Sequence, residues 1–334
     1  MSSDKVPSRT LARVSLNRTA IHSLLLALLW QPIAACAGAS PFECSDGLLQ
    51  KLPSRASTAP TGSEFAHRVE ALSGADREQA IEAELLDGDM PQFLRRVVPI
   101  TMNGELPNGQ SVEVTVCTLT DYLAIGSDRD FLIVPMSLAT ALTVAGRFGF
   151  TLPTSKMVDA IYRQAEVHLA PQPLPASDQM RSTDYYRHHN ELIAEQRMAL
   201  GVLPGVLTAG HKKDLVITNR LWRYPDRVAI YGWHRGINSP IQPLSTVHGV
   251  RYADYSHGTR LVSTTIFMDG RPMSIFEALA DPGLSQVLSR EGPLPRLSDL
   301  ISRLAPPGVD LLSAHSTARL PSQSALDDVT NMMH

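Results

Sequence analysis

Apolar and polar residues change period several times along this chain, and each change marks an element. Two short segments, Glu64 to Ser73 and Ala75 to Leu86, read as helices. In the second, Ile81 and Leu85 stand four apart and Ala80 and Ala83 three apart, a narrow stripe at helical spacing. The pattern then becomes short, β-branched and partly alternating in VVPITM, SVEVTVCTL, DYLAIGS and DFLIVPM. Turn-forming Asn-Gly and Asp-rich segments separate these runs, which predicts an antiparallel strand cluster from Val97 to Met136.

Helical spacing returns in LATALTVAGRFG, with Ser137 as N-cap and Gly149 near its end. KMVDAIYRQAEV follows, capped by Thr154 or Ser155, and after the loop APQPLPAS comes STDYYRHHNELIAEQRMAL. The segments DLVIT, RVAIYGW and TRLVSTTIFM predict strands, the last running into an Asp269-Gly270 hairpin turn. SIFEALAD and GLSQVLSR predict short helices. Helices, strands, helices and strands in that order predict an α+β fold with antiparallel sheets and flanking helices, in one main domain.

The N-terminus follows another logic. Lys5, Arg9, Arg13 and Arg18 precede the apolar run IHSLLLALLWQPIAAC, an export-signal pattern too short for a comfortable membrane span. Ile33-Ala34-Ala35-Cys36 resembles the lipobox of bacterial lipoproteins, which implies lipidation of Cys36. Ordinary cleavage at Ala35-Cys36-Ala37 or Ala37-Gly38-Ala39 is the alternative, and a retained anchor a third. The expected organisation is a signal over 1–36, a Ser/Pro/Ala/Thr-rich tether over 37–63, a domain over 64–295 and a poorly ordered tail over 296–334. The expected location is the periplasm, or the outer membrane through a lipid anchor. Cys44 and Cys117 then remain as an even pair in an oxidising compartment and are candidates for one disulfide, with two unrelated thiols as the alternative.

The chain has 334 residues, 43% of them apolar, and a formal net charge of -3. That balance gives no footprint for nucleic acid, and no run of like charge suggests a binding tail.

The candidate chemistry lies in histidines. Six of the eleven fall between His188 and His257, and histidine serves as metal ligand or as acid and base near neutral pH. His188 and His189 lie on a helix rich in Tyr, Arg and Glu and read as solvated. The other four sit where strands end: Gly210-His211-Lys212-Lys213-Asp214, Tyr231-Gly232-Trp233-His234, Val247-His248-Gly249 and Asp254-Tyr255-Ser256-His257-Gly258. Strand ends hold the backbone while the turn displays the side chain. Period-2 alternation puts Val228, Ile230, Gly232 and His234 on one face, either a pocket wall or a core ending in a satisfied histidine.

His248, Asp254 and His257 are the candidate metal set, because zinc hydrolases use two histidines and a carboxylate and leave one position for water. The spacing resembles that of zinc peptidases acting on peptidoglycan stem peptides, without their downstream histidine pair; His211 or His234 would supply the third nitrogen. Asp254 and His257 meet only if the chain bends near Tyr255-Ser256, since strand neighbours three apart face opposite ways. A metal-free alternative uses Ser245 or Ser256 with a histidine and Asp254, although the Gly-x-Ser-x-Gly elbow is absent. There is also no phosphate loop or dinucleotide fingerprint.

The combination of GHKKD, YGWH and DYSHG resembles an uncharacterised group of secreted bacterial proteins over roughly Asp121 to Val262. It implies a shared domain and no particular reaction. The leading expectation is a cell-envelope hydrolase, a metal-assisted peptidase or amidase with a zinc ion. Its candidate catalytic residues are His211, Lys212, Asp214, His234, Tyr252 and Ser256, with Trp233, Tyr255 and Arg260 holding a peptide or glycan substrate. The alternatives are a non-catalytic glycan- or peptide-binding lipoprotein and an envelope assembly protein.

Overall fold

The computed structural model describes Cys44, Leu49 and residues 51–72 and 74–304. The expected signal, Cys36 and most of the expected tail lie outside the described residues. The helices are α1 (Gly62–Val69), α2 (Gly74–Leu86), α3 (Leu138–Phe148), α4 (Ser155–Gln164), α5 (Thr183–Leu200), α6 (Arg220–Arg223), α7 (Ile275–Ala280), α8 (Leu284–Leu288) and α9 (Leu297–Leu304). The strands are β1 (Val97–Glu105), β2 (Ser111–Leu119), β3 (Ala124–Gly126), β4 (Phe131–Ile133), β5 (Phe150–Thr151), β6 (Val167–His168), β7 (Thr208–Ala209), β8 (Lys213–Leu215), β9 (Ile230–His234), β10 (Pro240–Ser245), β11 (His257–Gly258), β12 (Val262–Met268) and β13 (Arg271–Ser274). The fold is α+β.

Local chemistry explains where the helices begin and end. Thr61 and Glu64 close a reciprocal capping box on α1. Ser137, Thr154 and Ser182 accept backbone N–H bonds at the starts of α3, α4 and α5. Gly149 and Gly201 end α3 and α5 in the left-handed conformation, where a side chain would be strained.

One sheet runs β1-β2-β12-β13, with β5 also pairing β12. The β12–β13 hairpin turns at Asp269 and Gly270, both with positive φ, as a two-residue Asp-Gly turn requires. β2 is covered by partners on both edges, and its second half is buried throughout. The other main sheet runs β10-β9-β8-β11 and carries the histidine motifs. It is antiparallel except where β11 pairs parallel with β8; β6 and β7 form a second short parallel pair.

Two expected boundaries need correction. The tail assigned to 296–334 begins with a packed helix, α9, whose Leu297, Leu300, Ile301 and Leu304 are buried at i, i+3, i+4 and i+7. Each such burial contributes about 1.5–3 kcal/mol, enough to hold this segment on the domain. The tether assigned to 37–63 is also partly anchored. The Arg55 side chain donates to Asp89 Oδ1 at 2.6 Å and to the Ala59 and Pro60 carbonyls at 2.8 Å.

Cys44 and Cys117 form a disulfide across a sequence separation of 73 residues, tying the start of the domain to β2. Closing a loop of that length restricts the unfolded chain. Reduction, or Cys44→Ser, is expected to lower stability by roughly 2–4 kcal/mol, read by urea unfolding with and without reductant. Full alkylation of both thiols in the unreduced protein would contradict the bridge.

Candidate functional site

The site is built where β8 lies between β9 and β11. Lys213 pairs with His257 on one side and with Gly232 on the other, so three motifs distant in sequence share one row of the sheet. Gly258 makes this approach possible. A Cβ there would stand 2.6 Å from the Tyr122 ring and 2.7 Å from Lys212 Cβ, closer than non-bonded carbons tolerate.

The bend needed to unite Asp254 and His257 is present. Asp254 Oδ1 accepts from the Ser256 N–H at 2.8 Å and from Ser256 Oγ at 2.5 Å, and the His257 N–H donates to the Asp254 carbonyl at 3.0 Å. This tight turn brings Asp254 Oδ2 to 3.9 Å from His257 Nε2. Tyr252 Oη donates to the same carboxylate oxygen at 3.1 Å. His248 stacks on Tyr252 at 4.0 Å between ring centroids and lies 6.3 Å from the His257 ring. His248 and Tyr252 are half-buried, whereas Asp254, Ser256 and His257 are buried.

Burial alone raises the Asp254 carboxyl, but the His257 charge and the Ser256 hydrogen bonds outweigh it and hold the pKa below its usual range. Burial lowers His257, and Asp254 only partly offsets that. At neutral pH the pair is therefore a carboxylate beside a neutral imidazole. Neither ring nitrogen of His257 has a hydrogen-bond partner among the described residues. Burial, then Asp254, pushes Tyr252 up to about 12, so its hydroxyl stays a donor.

His248, Asp254 and His257 thus come together as the sequence suggested. Among the described residues, however, no group of three or more His, Cys, Asp or Glu is disposed to hold a metal ion. The structure brings together two of the four strand-end histidines, His248 and His257. The other two serve separate clusters. His234 Nε2 bonds Asp159 at 2.7 Å, where Tyr231 Oη also donates and Arg290 pairs. His211 is fully buried, its Nε2 3.2 Å from Asp121 Oδ1 without the angle of a hydrogen bond. Burial lowers His211 to about 4, against the opposing pull of Asp121. Arg197 also pairs with Asp121.

Several expected contacts with substrate are instead internal. Arg260 is fully buried and donates to the Leu119 and Thr208 carbonyls while covering the Tyr122 ring. Tyr255 is 2% exposed, and its hydroxyl is spent on the Leu174 backbone. Ser256 Oγ donates to Asp254 rather than to a histidine, so the serine–histidine pairing of the metal-free expectation is not formed. Asp214 accepts from Tyr122 Oη at 2.9 Å, and burial raises it to about 6. Trp233 and Lys213 are placed at the site, with Lys213 Nζ 4.7 Å from the indole centroid.

His189 overturns the expectation of a solvated residue, and Lys212, expected at the catalytic centre, is its internal neighbour. Both are fully buried; Lys212 Nζ lies 3.0 Å from His189 Nδ1 and donates to the Tyr255 carbonyl at 2.6 Å. Asp121, Arg197 and Asp159, also missed, occupy no motif, and only their buried pairing reveals them. His189 carried one available signal: four residues after Tyr185 and three after Tyr186, it shares an aromatic helix face.

Burial lowers Lys212 from 10.5 to about 7. Between those values the unfolded chain keeps a proton that the folded chain has released, so stability rises with pH across the window and is lowest below it. Lys212→Met is expected to abolish that rise, as read by urea unfolding from pH 6.5 to 10. An unchanged slope would place the amine in contact with solvent.

Comparison of the chain with protein-family models, with curated proteins and with solved structures returned no match.

Proposed function

We propose that this protein is an exported hydrolase of amide or peptide bonds in the cell envelope, with His257 as general base and the Asp254 carboxylate beside it to stabilise the imidazolium that forms. One observation carries the reading: a buried imidazole without a partner for either nitrogen among the described residues, held beside an ionised carboxylate and flanked by half-buried His248 and Tyr252. Buried polar groups are almost always paired, and exceptions mark ligand or catalytic positions. A neutral imidazole there accepts a proton from water attacking an amide carbonyl. Tyr252 Oη, through its bond to Asp254, holds the carboxylate in place beside His257. The basic and apolar N-terminal stretch, with Cys36 as lipid anchor, and the Cys44–Cys117 bridge support the envelope assignment. No nucleic-acid partner enters this reading.

The metal-assisted form places a zinc ion on His248, Asp254 and His257; the lack of a metal-disposed triad among the described residues favours the metal-free form. A glycan- or peptide-binding module is the second reading, favoured by the cation–aromatic contacts of Lys213 with Trp233 and of Arg181 with Tyr252.

Incubation of the purified protein with envelope-derived peptides and glycopeptides, followed by mass spectrometry, tests all three. Cleavage with a new amino group, unaffected by chelator, is the expected result. Cleavage abolished by chelator and restored by zinc selects the metal form. Retention of a ligand without cleavage selects the binding module.

A further inference from the structure

We infer that Lys213 and Trp233 form a subsite that seats a carboxylate of the ligand beside His257. The description of that ligand as a substrate rests on the hydrolase reading above; the binding claim does not.

The sheet register supplies the juxtaposition. Lys213 on β8 is paired with His257 on β11 and with Gly232 on β9, and the Trp233 N–H donates to the Lys212 carbonyl at 3.1 Å. Trp233 adopts φ 56°, a left-handed conformation rare for a bulky side chain, directly after Gly232 at φ 106°. Strict strand alternation is broken there, and the indole comes to lie under the Lys213 ammonium. Strain of this kind persists where surrounding structure imposes it and is concentrated at functional sites.

Donors predominate in this corner. Trp233 is 6% exposed, and its Nε1–H has no acceptor among the described residues. Lys213 is only partly exposed, and its ammonium makes no side-chain hydrogen bond among the described residues. The charge of Lys213 acts on both Asp254 and His257, which places it on the catalytic side of the sheet. The ammonium over the indole and the unpartnered indole N–H are two donors that a carboxylate, with its two oxygens, could take up. A monoanion suits the site better than a dianionic phosphate, because Asp254 adds a negative charge nearby. The substrate class is therefore an amide with a free carboxylate a few bonds from the carbonyl that is attacked.

The test uses the exported protein labelled with 15N-tryptophan. Trp233→Phe assigns the Trp233 indole resonance. N-acetylglycine is expected to shift that resonance, and N-acetylglycinamide to leave it in place. Lys213→Gln should weaken N-acetylglycine binding roughly tenfold or more, as loss of a charge-assisted bond implies, and Lys213→Arg should retain it. Equal shifts with acid and amide, wild-type affinity in Lys213→Gln, or tighter binding of inorganic phosphate would each overturn the carboxylate subsite. If N-acetylglycine binds as expected while no amide is cleaved, the hydrolase reading falls and the subsite stands. If acidic and neutral amides are cleaved alike by wild type and Lys213→Gln, the subsite falls and the hydrolase stands.

Discussion

His257→Gln is expected to reduce turnover about 10²–10⁴-fold, the usual worth of a positioned general base, with little change in folding stability. The two halves of this expectation have separate causes. Turnover falls because glutamine cannot take up a proton. Stability is nearly kept because the His257 side chain has no hydrogen bond among the described residues to lose, and glutamine fills a similar volume with polar atoms. Asp254→Asn should give the converse pattern, some loss of stability with the loss of rate, because Asp254 also holds the turn through Ser256 and Tyr252. Steady-state rates and thermal unfolding of both variants check the pair. Unimpaired turnover in His257→Gln would remove it from the mechanism, and collapse of the fold would make its role structural.

The largest loss of stability is expected from Arg197→Met, about 3–5 kcal/mol, typical of breaking a buried ion pair from one side. Arg197 is 4% and Asp121 2% exposed, and they pair directly inside the domain. Without Arg197 the Asp121 charge stays buried without its direct ion pair, left with the Tyr122 N–H, a largely neutral His211 and the more distant Arg260. The pH dependence follows with a definite sign. Burial raises the Asp121 carboxyl, but Arg197 and His211 outweigh it and depress the pKa. In the wild type this contribution is complete above the ordinary carboxylate range and is lost only as pH falls through the depressed value. In Arg197→Met burial dominates and the folded-state pKa rises, so the deficit against wild type should shrink as the medium is acidified and Asp121 takes up a proton. Urea unfolding at pH 5 and pH 8 measures it. The double variant Arg197→Met/Asp121→Asn should recover part of the loss, since it leaves no unpaired charge. A deficit independent of pH would assign Arg197 a packing role through its methylenes.

The helix caps and hairpins of this protein are written in short segments, because the interactions that set them span few residues. Ser137 and Gly149 bound α3, and Asp269-Gly270 closes β12 onto β13. The Asp254–His257 turn is local too: a carboxylate reaching the N–H two residues ahead bends the chain, and the sequence already identified that bend as the condition for the pair to meet. The stripe of Leu297, Leu300, Ile301 and Leu304 was equally present, but the Pro- and Ser-rich segment after it masked an eight-residue helix. What a short segment could not contain was the identity of each polar partner. Lys212 meets His189 across 23 positions, and His234 meets Asp159 across 75. Those meetings depend on how α5, which carries His189, and α4, which carries Asp159, pack against the sheet region of Lys212 and His234. From sequence, a lysine pair beside a histidine reads as solvated, because an unpaired charge is too costly to bury. Tertiary structure decided otherwise by setting Lys212 beside His189, His234 against Asp159 and His211 near Asp121, and it left His257, without a hydrogen-bond partner among the described residues, beside Asp254.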